Sequence, residues 1–448
     1  MPTPVVFAST RFREMPLEYQ GSRQLEEPLD VLYALAACDG VAEAAIVDPW
    51  AEEDEAALRD ARVVVLSTTN TYLQWNNHPL GLSQFLDVWR HVRTVKRDGG
   101  PWRAVVFGPH VANHRAELLA AGVDVALAGE SELRVAGWVE RCLANDSDPL
   151  NVTGEEAVVH AVGDLDDLPR PAWGHALRWR FAAHNRPQPG AGHLYETSRG
   201  CPYFCSFCNT VTHRRQHRLK SVEKVASDLA WLAEHSDRRY VYFIDESFGF
   251  RDAETFRLLD ALRALPIEYG CQANLRFMSP AKLEAMAAAG FVSLEFGMET
   301  GDAGLLRQVG KDNRLAEAAD LVNHAAGLGL DPLLFLLVGL PGETPATLRR
   351  TLELLSALHP ATRVSIAMPT PYTGTRLHQL GVRSGLVPAD ASGAALYAYT
   401  GRIGHDLAFA PEAADRFRSR YGPNNRLEPG FVAGLERDLG ELFGAALP

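Results

Sequence analysis

Within eight residues the chain places three cysteines, Cys201, Cys205 and Cys208, in a Cys-x3-Cys-x2-Cys spacing, with Gly200 before them and aromatic residues between. Three thiolates this close can converge on one iron–sulfur cube. The usual fourth ligand is missing from the motif, so one iron is left open for a small molecule. The competing chemistry is zinc, which takes four ligands and usually draws them from paired Cys-x2–4-Cys motifs. His213 and His217 lie near enough to offer a fourth ligand, but there is no second cysteine pair. The spacing favours iron and sulfide.

Other polar residues stand at the ends of apolar runs, where parallel sheets collect their chemistry. Asp245 and Glu246 follow the run Tyr240–Ile244. Paired carboxylates can push one pKa upward, which makes the two candidates for a general base or substrate clamp; the alternative is a cap before a helix. Gln272, Asn274 and Arg276 alternate with Cys271, Ala273 and Leu275, putting three polar groups on one face of a strand expected over Tyr269–Phe277. Gly297-Met298-Glu299 ends the run that begins at Val292. Gly339-Leu340-Pro341-Gly342-Glu343 ends Leu333–Val338, and its glycines permit close backbone approach. Pro371-Tyr372 follows Val364–Met368 and brings an aromatic face.

Over roughly residues 190–380 these motifs resemble the radical S-adenosylmethionine (SAM) superfamily, down to the aromatic Phe207 before the last cysteine. The resemblance implies a [4Fe–4S] cluster whose open iron binds the amino and carboxylate groups of SAM. Reduction then cleaves SAM to methionine and a 5′-deoxyadenosyl radical. It also implies roles. Glu299, with Gly297 in the same motif, holds the SAM ammonium through a charge-assisted bond. Gly339 lets backbone contact adenine, Tyr372 flanks that ring and Phe207 adds backbone contacts to it. If the polar face of the third barrel strand points inward, Arg276 partners the SAM carboxylate and Asn274 the ribose. An electron donor such as a flavodoxin or ferredoxin is a further expectation.

The elements around these residues set the frame. The chain has 448 residues, enough for two to three domains. Its net charge of −12 is spread without a basic block, which argues against nucleic acid as a partner. No apolar run approaches the roughly 20 residues of a membrane span. The N-terminus lacks the pattern of an export signal, so a cytoplasmic location and no membrane partner are expected. Cys38, Cys142 and Cys271 are isolated and read as inert buried thiols.

Residues 1–145 alternate short apolar runs (Val5–Ala8, Ala45–Val47, Val63–Ser67, Ala104–Phe107, Val123–Ala128) with helix-length segments such as Leu29–Cys38 and Leu82–Val95. That pattern predicts a doubly wound parallel sheet. Prolines and glycines interrupt residues 146–192, a linker. From His193 six β/α units follow. The expected fold is therefore α/β: an N-terminal Rossmann-like domain over 1–145, the linker, a partial (β/α)6 barrel over 193–380 with chemistry at the strands' C-terminal ends, and a C-terminal cap over 381–448.

The first domain resembles the cobalamin-binding-type domain found before the barrel in a large radical SAM subgroup. Gly108-Pro109-His110 and Gly129-Glu130-Ser131-Glu132 match that subgroup's pattern. The Asp-x-His-x-x-Gly loop that supplies a histidine to cobalt is not matched. Here Asn76 stands where Asp belongs before His78, and the segment follows the third apparent strand instead of the first. Cobalamin is thus possible but not favoured, which separates two classes. One is a cobalamin-dependent radical methyltransferase; the other keeps the domain and uses no corrinoid. Compact length, the Asn76/His78 mismatch and the lack of further cluster cysteines favour the second. Within it the plan resembles the radical SAM dehydratases of aminoglycoside antibiotic biosynthesis, lyases of the type that remove the 3′-hydroxyl of paromamine. That would imply hydrogen abstraction at C4′, loss of the neighbouring hydroxyl as water, and completion by a separate NAD(P)H-dependent reductase. A polycationic small-molecule substrate suits a chain with an excess of acids.

Overall fold

The computed structural model describes residues 4–8, 27–68, 79–144, 158–179, 186–208, 216–391 and 393–444. These fall into two compact units. The first takes in the described residues up to Trp179 and again Arg218–Asp237; the second takes in Arg186–Cys208, Gln216–His217 and everything from Arg238. The stretch expected as a linker is thereby divided between them.

The first unit is a five-stranded sheet of β1 (Val5–Ala8), β2 (Ala44–Val47), β3 (Val63–Ser67), β4 (Arg103–Gly108) and β5 (Val125–Ala128), in the order β2-β1-β3-β4-β5. All pairings are parallel. β1, β3 and β5 are buried along their whole length, as apolar strands covered on both faces must be. The intervening helices are α1 (Leu29–Ala37), α2 (Glu52–Asp60), α3 (Pro79–Val95) and α4 (Val111–Ala120), with α5 (Glu132–Ala144) after β5. Phe85, Val88, Trp89 and Val92 of α3 share a core with Val64, Leu66 and Val106 of the sheet. The strand order reverses between β1 and β3, which makes their C-terminal ends the switch point where doubly wound sheets open a crevice. α6 (Val222–His235) also clusters with this unit; Ser221 caps it by accepting the Lys224 N–H at 3.1 Å.

The second unit is a seven-stranded sheet: β6 (His193–Tyr195), β7 (Tyr240–Phe248), β8 (Glu268–Ala273), β9 (Phe291–Glu299), β10 (Pro332–Leu337), β11 (Arg363–Ala367) and β12 (Asn425–Arg426). The first six are parallel neighbours in chain order, the expected partial barrel, and β12 adds an antiparallel edge. Its crossovers contain α7 (Asp252–Leu262), α8 (Pro280–Ala288), α9 (Ala303–Gln308), α10 (Leu315–Gly327) and α11 (Pro345–Ser356). Phe243 stacks on Phe248 and Tyr269 with centroids 5.4 Å apart in each pair, and Phe291 joins them.

Two strands differ from expectation in ways that matter for the site. β7 continues to Phe248, so Asp245 and Glu246 lie inside it. β8 stops at Ala273, because the Asn274 side chain accepts the Arg276 N–H at 2.9 Å and turns Leu275–Phe277 into a short 3-10 helix. After α12 (Arg376–Arg383), the C-terminal region divides in two. Residues 400–404 lie on the loops after β10 and β11, where Gly401 N–H donates to Pro369 O at 3.0 Å and Gly342 N–H to Gly404 O at 2.7 Å. α13 (Pro411–Tyr421), α14 (Phe431–Phe443) and β12 pack at the sheet's outer edge. Among the described residues no helix is long and apolar enough to cross a membrane.

Candidate active site

The cysteine loop leaves β6 and is fastened at its start by the two acids of β7. Buried Asp245 accepts the Thr197 N–H at 2.9 Å, the Thr197 hydroxyl at 2.5 Å and the Ser198 hydroxyl at 2.6 Å. Glu246 accepts the N–H of Gly200 at 2.8 Å, and Gly200 takes the left-handed φ of 92° that sends the chain into Cys201. Burial pushes Asp245 up to about 6, against the pull of its three donors. These are the two acids the sequence offers as a general base or substrate clamp. β7 extends through both residues, and the hydrogen bonds described commit their carboxylates to holding the loop.

At the loop's far side Ser206 N–H donates to Val309 O at 2.8 Å, and Leu377 N–H donates to Ser206 O at 2.9 Å. The Cys205 sulfur lies 4.0 Å from Gly310 O. Gly310 has φ 79°, and a Cβ there would meet Phe204 O at 2.9 Å, so the close approach of the two segments requires glycine. Cys205 is buried, while Cys201 and Cys208 are half-buried. Burial pushes the Cys201 and Cys205 thiols to about 12, and each also feels the charge of Cys208. Such thiols ionise only against a strong Lewis acid, which is what iron supplies on loading. Among the described residues no three donors are drawn together for a single ion. A four-iron cube instead takes one thiolate on each of three separate irons.

Glu299 closes β9 with φ 66°, a left-handed conformation that costs a non-glycine residue about 1–3 kcal/mol and collects at functional sites. The register of β9 against β10 shifts between Gly297 and Glu299. Asn313, fully buried, holds this bend: its side-chain amide donates to Gly297 O at 3.0 Å and to Met298 O at 2.9 Å. Lys311 sets its ammonium 2.5 Å from the Glu299 carboxylate, with both side chains about nine-tenths buried. Burial pulls that ammonium down, but Glu299 and the thiols Cys205 and Cys201 outweigh it and hold the group above its usual value. Sequence reasoning missed Lys311 and Asn313. The signal available was the turn Gly310-Lys311-Asp312-Asn313 between two helical runs, which has the composition of a loop and nothing more specific.

Arg276 is not where the sequence put it. Off the strand and half-exposed, its guanidinium pairs with Asp312. Asn274 is buried, and its side-chain oxygen accepts the Arg276 N–H. The loop after β10 closes on its own acid. Glu343 accepts Gly339 N–H at 3.1 Å, Leu340 N–H at 3.4 Å and the Thr347 hydroxyl at 2.8 Å, and burial raises it to about 7. Gly339 has φ 84°, and a Cβ there would meet Gly401 O at 2.5 Å. Tyr372 is half-buried after β11, and burial raises its phenol. The Phe207 ring packs against the apolar group of Leu377, Val387, Leu396 and Ile403, which leaves its backbone for a ligand.

In the first unit the described rim of the switch point is small and polar. Thr68 N–H donates to Phe107 O at 2.8 Å, and the Thr68 hydroxyl accepts His110 N–H at 3.3 Å. Gly108 has φ 122°, and a Cβ there would stand 2.5 Å from the Thr68 hydroxyl. Glycine at this position lets the end of β4 pack directly against Thr68 and Ser67. Asn76 and His78 lie outside the described residues.

Residues 195–355 match the Radical SAM superfamily, a span that holds the cysteine loop, Glu299, Lys311 and the Gly339–Glu343 loop. The chain carries a radical SAM domain. [4Fe–4S] and SAM are the cofactors of such a domain, and the cysteine loop and Glu299 are the residues here that fit them. The chain is similar to an uncharacterized methyltransferase of Pyrococcus horikoshii, 24% identical over 229 residues, covering 50% of this chain and 49% of that protein. It is also similar to TokK, a cobalamin-dependent radical SAM methyltransferase of Streptomyces tokunonensis, 26% identical over 269 residues, 55% of this chain and 39% of that one. The chain thus spans about half or less of these curated relatives. Among solved structures, the radical SAM methyltransferase TsrM of Kitasatospora setae, with cobalamin and a [4Fe–4S] cluster bound, shares the fold. Its TM-score is 0.63 at 16% identity, over 98% of this chain and 91% of that one.

Proposed function

We propose that this protein is a cobalamin-dependent radical SAM methyltransferase acting on a small molecule. The observation that carries the reading is the union, in one chain, of a parallel sheet in the order β2-β1-β3-β4-β5 with a radical SAM domain, similar to the methyltransferases named above. When bound, the cluster and SAM supply a hydrogen-abstracting radical and a corrinoid supplies the transferable methyl group. The chain's own residues bind and orient. Cys201, Cys205 and Cys208 hold the cluster, Asp245 and Glu246 set the loop that carries them, Glu299 takes the SAM ammonium, and the backbone at Gly339 accommodates adenine. Electrons come from an external donor protein.

This reverses the preference drawn from the sequence. The aminoglycoside dehydratase reading leaned on Asn76 and His78, which lie outside the described residues, and the relatives above are methyltransferases.

The test is retention. Anaerobically reconstituted protein is incubated with hydroxocobalamin, desalted and examined by visible spectroscopy. Close to one equivalent of corrinoid should remain. Turnover should release S-adenosylhomocysteine beside 5′-deoxyadenosine, with a product heavier by a methylene. No retained corrinoid, deoxyadenosine alone and a product lighter by water would overturn the proposal and restore the dehydratase.

A further inference from the structure

The chain has a net charge of −12, yet one open cleft of the first unit collects cations. Arg90, Arg93, Lys96 and Arg97 line a volume of about 880 Å3 with Trp102, against a single acid, Asp124. Trp102 and Asp124 immediately precede β4 and β5, so the cleft lies at the N-terminal ends of these strands, away from the switch point at the C-terminal ends. We propose that it binds a small molecule carrying a diphosphate, with Arg93 and Arg97 as the residues that grip it. This site is separate from the radical chemistry.

Four observations support it. First, the cations lack counter-ions. Asp124 spends one oxygen on the Arg103 guanidinium at 3.0 Å and the other on the Ala104 N–H at 2.8 Å. Among the described residues no carboxylate pairs with Arg93, Lys96 or Arg97, and the pair that Arg90 forms with Asp87 is exposed and weak. Second, the cations do not serve α3. Arg90, Arg93 and Arg97 recur at helical spacing, where like charges destabilise a helix. Arg93 donates to Ala121 O at 3.0 Å, after α4, and Lys96 donates to Arg59 O at 2.6 Å and to Ala61 O at the end of α2, so neither caps the carbonyls of α3. Third, the Lys96 ammonium is buried with neutral carbonyls and the Trp102 ring, 5.6 Å away, as its company. Burial lowers it to about 8, and an anion in the cleft would relieve that cost. Fourth, the size and spacing suit two linked phosphoryl groups. Arg93 and Arg97 are both exposed and stand four residues apart, about 6 Å along a helix axis. Each guanidinium fork can take one phosphoryl group, and Gly99 and Gly100 put no side chain in the way.

The test is calorimetric titration of pyrophosphate into the full reconstituted chain, with ionic strength held constant by sodium chloride. Cluster absorbance is recorded before and after, so that lost iron is not counted as binding. Pyrophosphate should bind saturably at one per chain and more tightly than orthophosphate. Arg93→Gln and Arg97→Gln should each weaken it about tenfold or more, the fold-change of one charged hydrogen bond. Arg263→Gln, which removes an exposed arginine after α7, should leave it unchanged. Arg97 has no tie to the rest of the fold, so Arg97→Gln decides the matter if Arg93→Gln, which gives up the bond to Ala121, fails to fold. No saturable binding, full affinity in Arg97→Gln, or an equal loss in Arg263→Gln would overturn the site. Orthophosphate that binds as tightly as pyrophosphate would overturn the diphosphate.

Discussion

Glu246 accepts the N–H of Gly200 at 2.8 Å, one residue before the first cysteine of the loop. This bond ties the second strand of the barrel to the start of the metal-binding segment. Replacing Glu246 with alanine removes a hydrogen bond to a charged acceptor, about 1.5–3 kcal/mol. Iron uptake on reconstitution should fall, with only a modest loss of thermal stability, and Glu246→Gln should recover most of the uptake. Full iron content in Glu246→Ala would show that the loop finds its shape without this tie.

Cys201→Ala, Cys205→Ala and Cys208→Ala should each abolish the cluster, read as loss of iron, sulfide and visible absorbance after anaerobic reconstitution. Wild type should reach one [4Fe–4S] per chain. Wild-type protein that holds zinc and takes up no iron would refute the assignment outright.

Glu299→Gln should weaken SAM binding by about 1.5–3 kcal/mol, the range of a charged hydrogen bond, while the cluster spectrum persists. Equal affinity in the variant would mean that the fourth strand of the barrel does not carry the ammonium site.

Glu343 predicts a pH dependence. Burial raises its carboxyl from the ordinary 4.5 to about 7 in the fold. Between those values the folded protein holds a proton the unfolded chain has released, so stability rises as pH falls through the window and levels off below about 4.5. Above about 7 this contribution is lost. Thermal melts of wild type and Glu343→Gln should converge at low pH and separate toward pH 8, with the variant the more stable there. Parallel curves would contradict it.

Gly339→Ala would put a methyl 2.5 Å from Gly401 O at a φ of 84°. Both the contact and the backbone conformation oppose it, so the variant should lose about 2–4 kcal/mol in denaturant unfolding. A stable variant with normal SAM binding would mean that the 400–404 segment can lift away.

The parallel strands of both sheets were legible because most are apolar runs bounded by turn residues; Val5–Ala8 and Val63–Ser67 coincide with expectation residue for residue, whereas the polar edge strand Asn425–Arg426 carries no such signal. The cysteine loop was legible because three thiols at that spacing have few other uses. What failed was the local competition of side chains with backbone. Alternation over Tyr269–Phe277 reads as one strand, but Asn274 bonds the Arg276 N–H and ends it, so Arg276 swings out to Asp312. The Lys311–Glu299 pair spans twelve residues and a helix, and no periodicity encodes it. Asp245 looked like a proton carrier by position; its three donors from Thr197 and Ser198 are visible only once β6 and β7 are neighbours.

Cys38, Cys142 and Cys271 are all buried, and burial drives their thiols up, to about 12 for the first two and well above the usual value for Cys271. What sets them apart from the loop thiols is isolation: none has the Cys-x3-Cys-x2-Cys neighbours that let three thiols ionise together on one cluster. Among the six cysteines, the loop is therefore the group left to meet incoming iron. Air damage should register first at the three loop cysteines, as loss of colour rather than as crosslinked or mispaired protein.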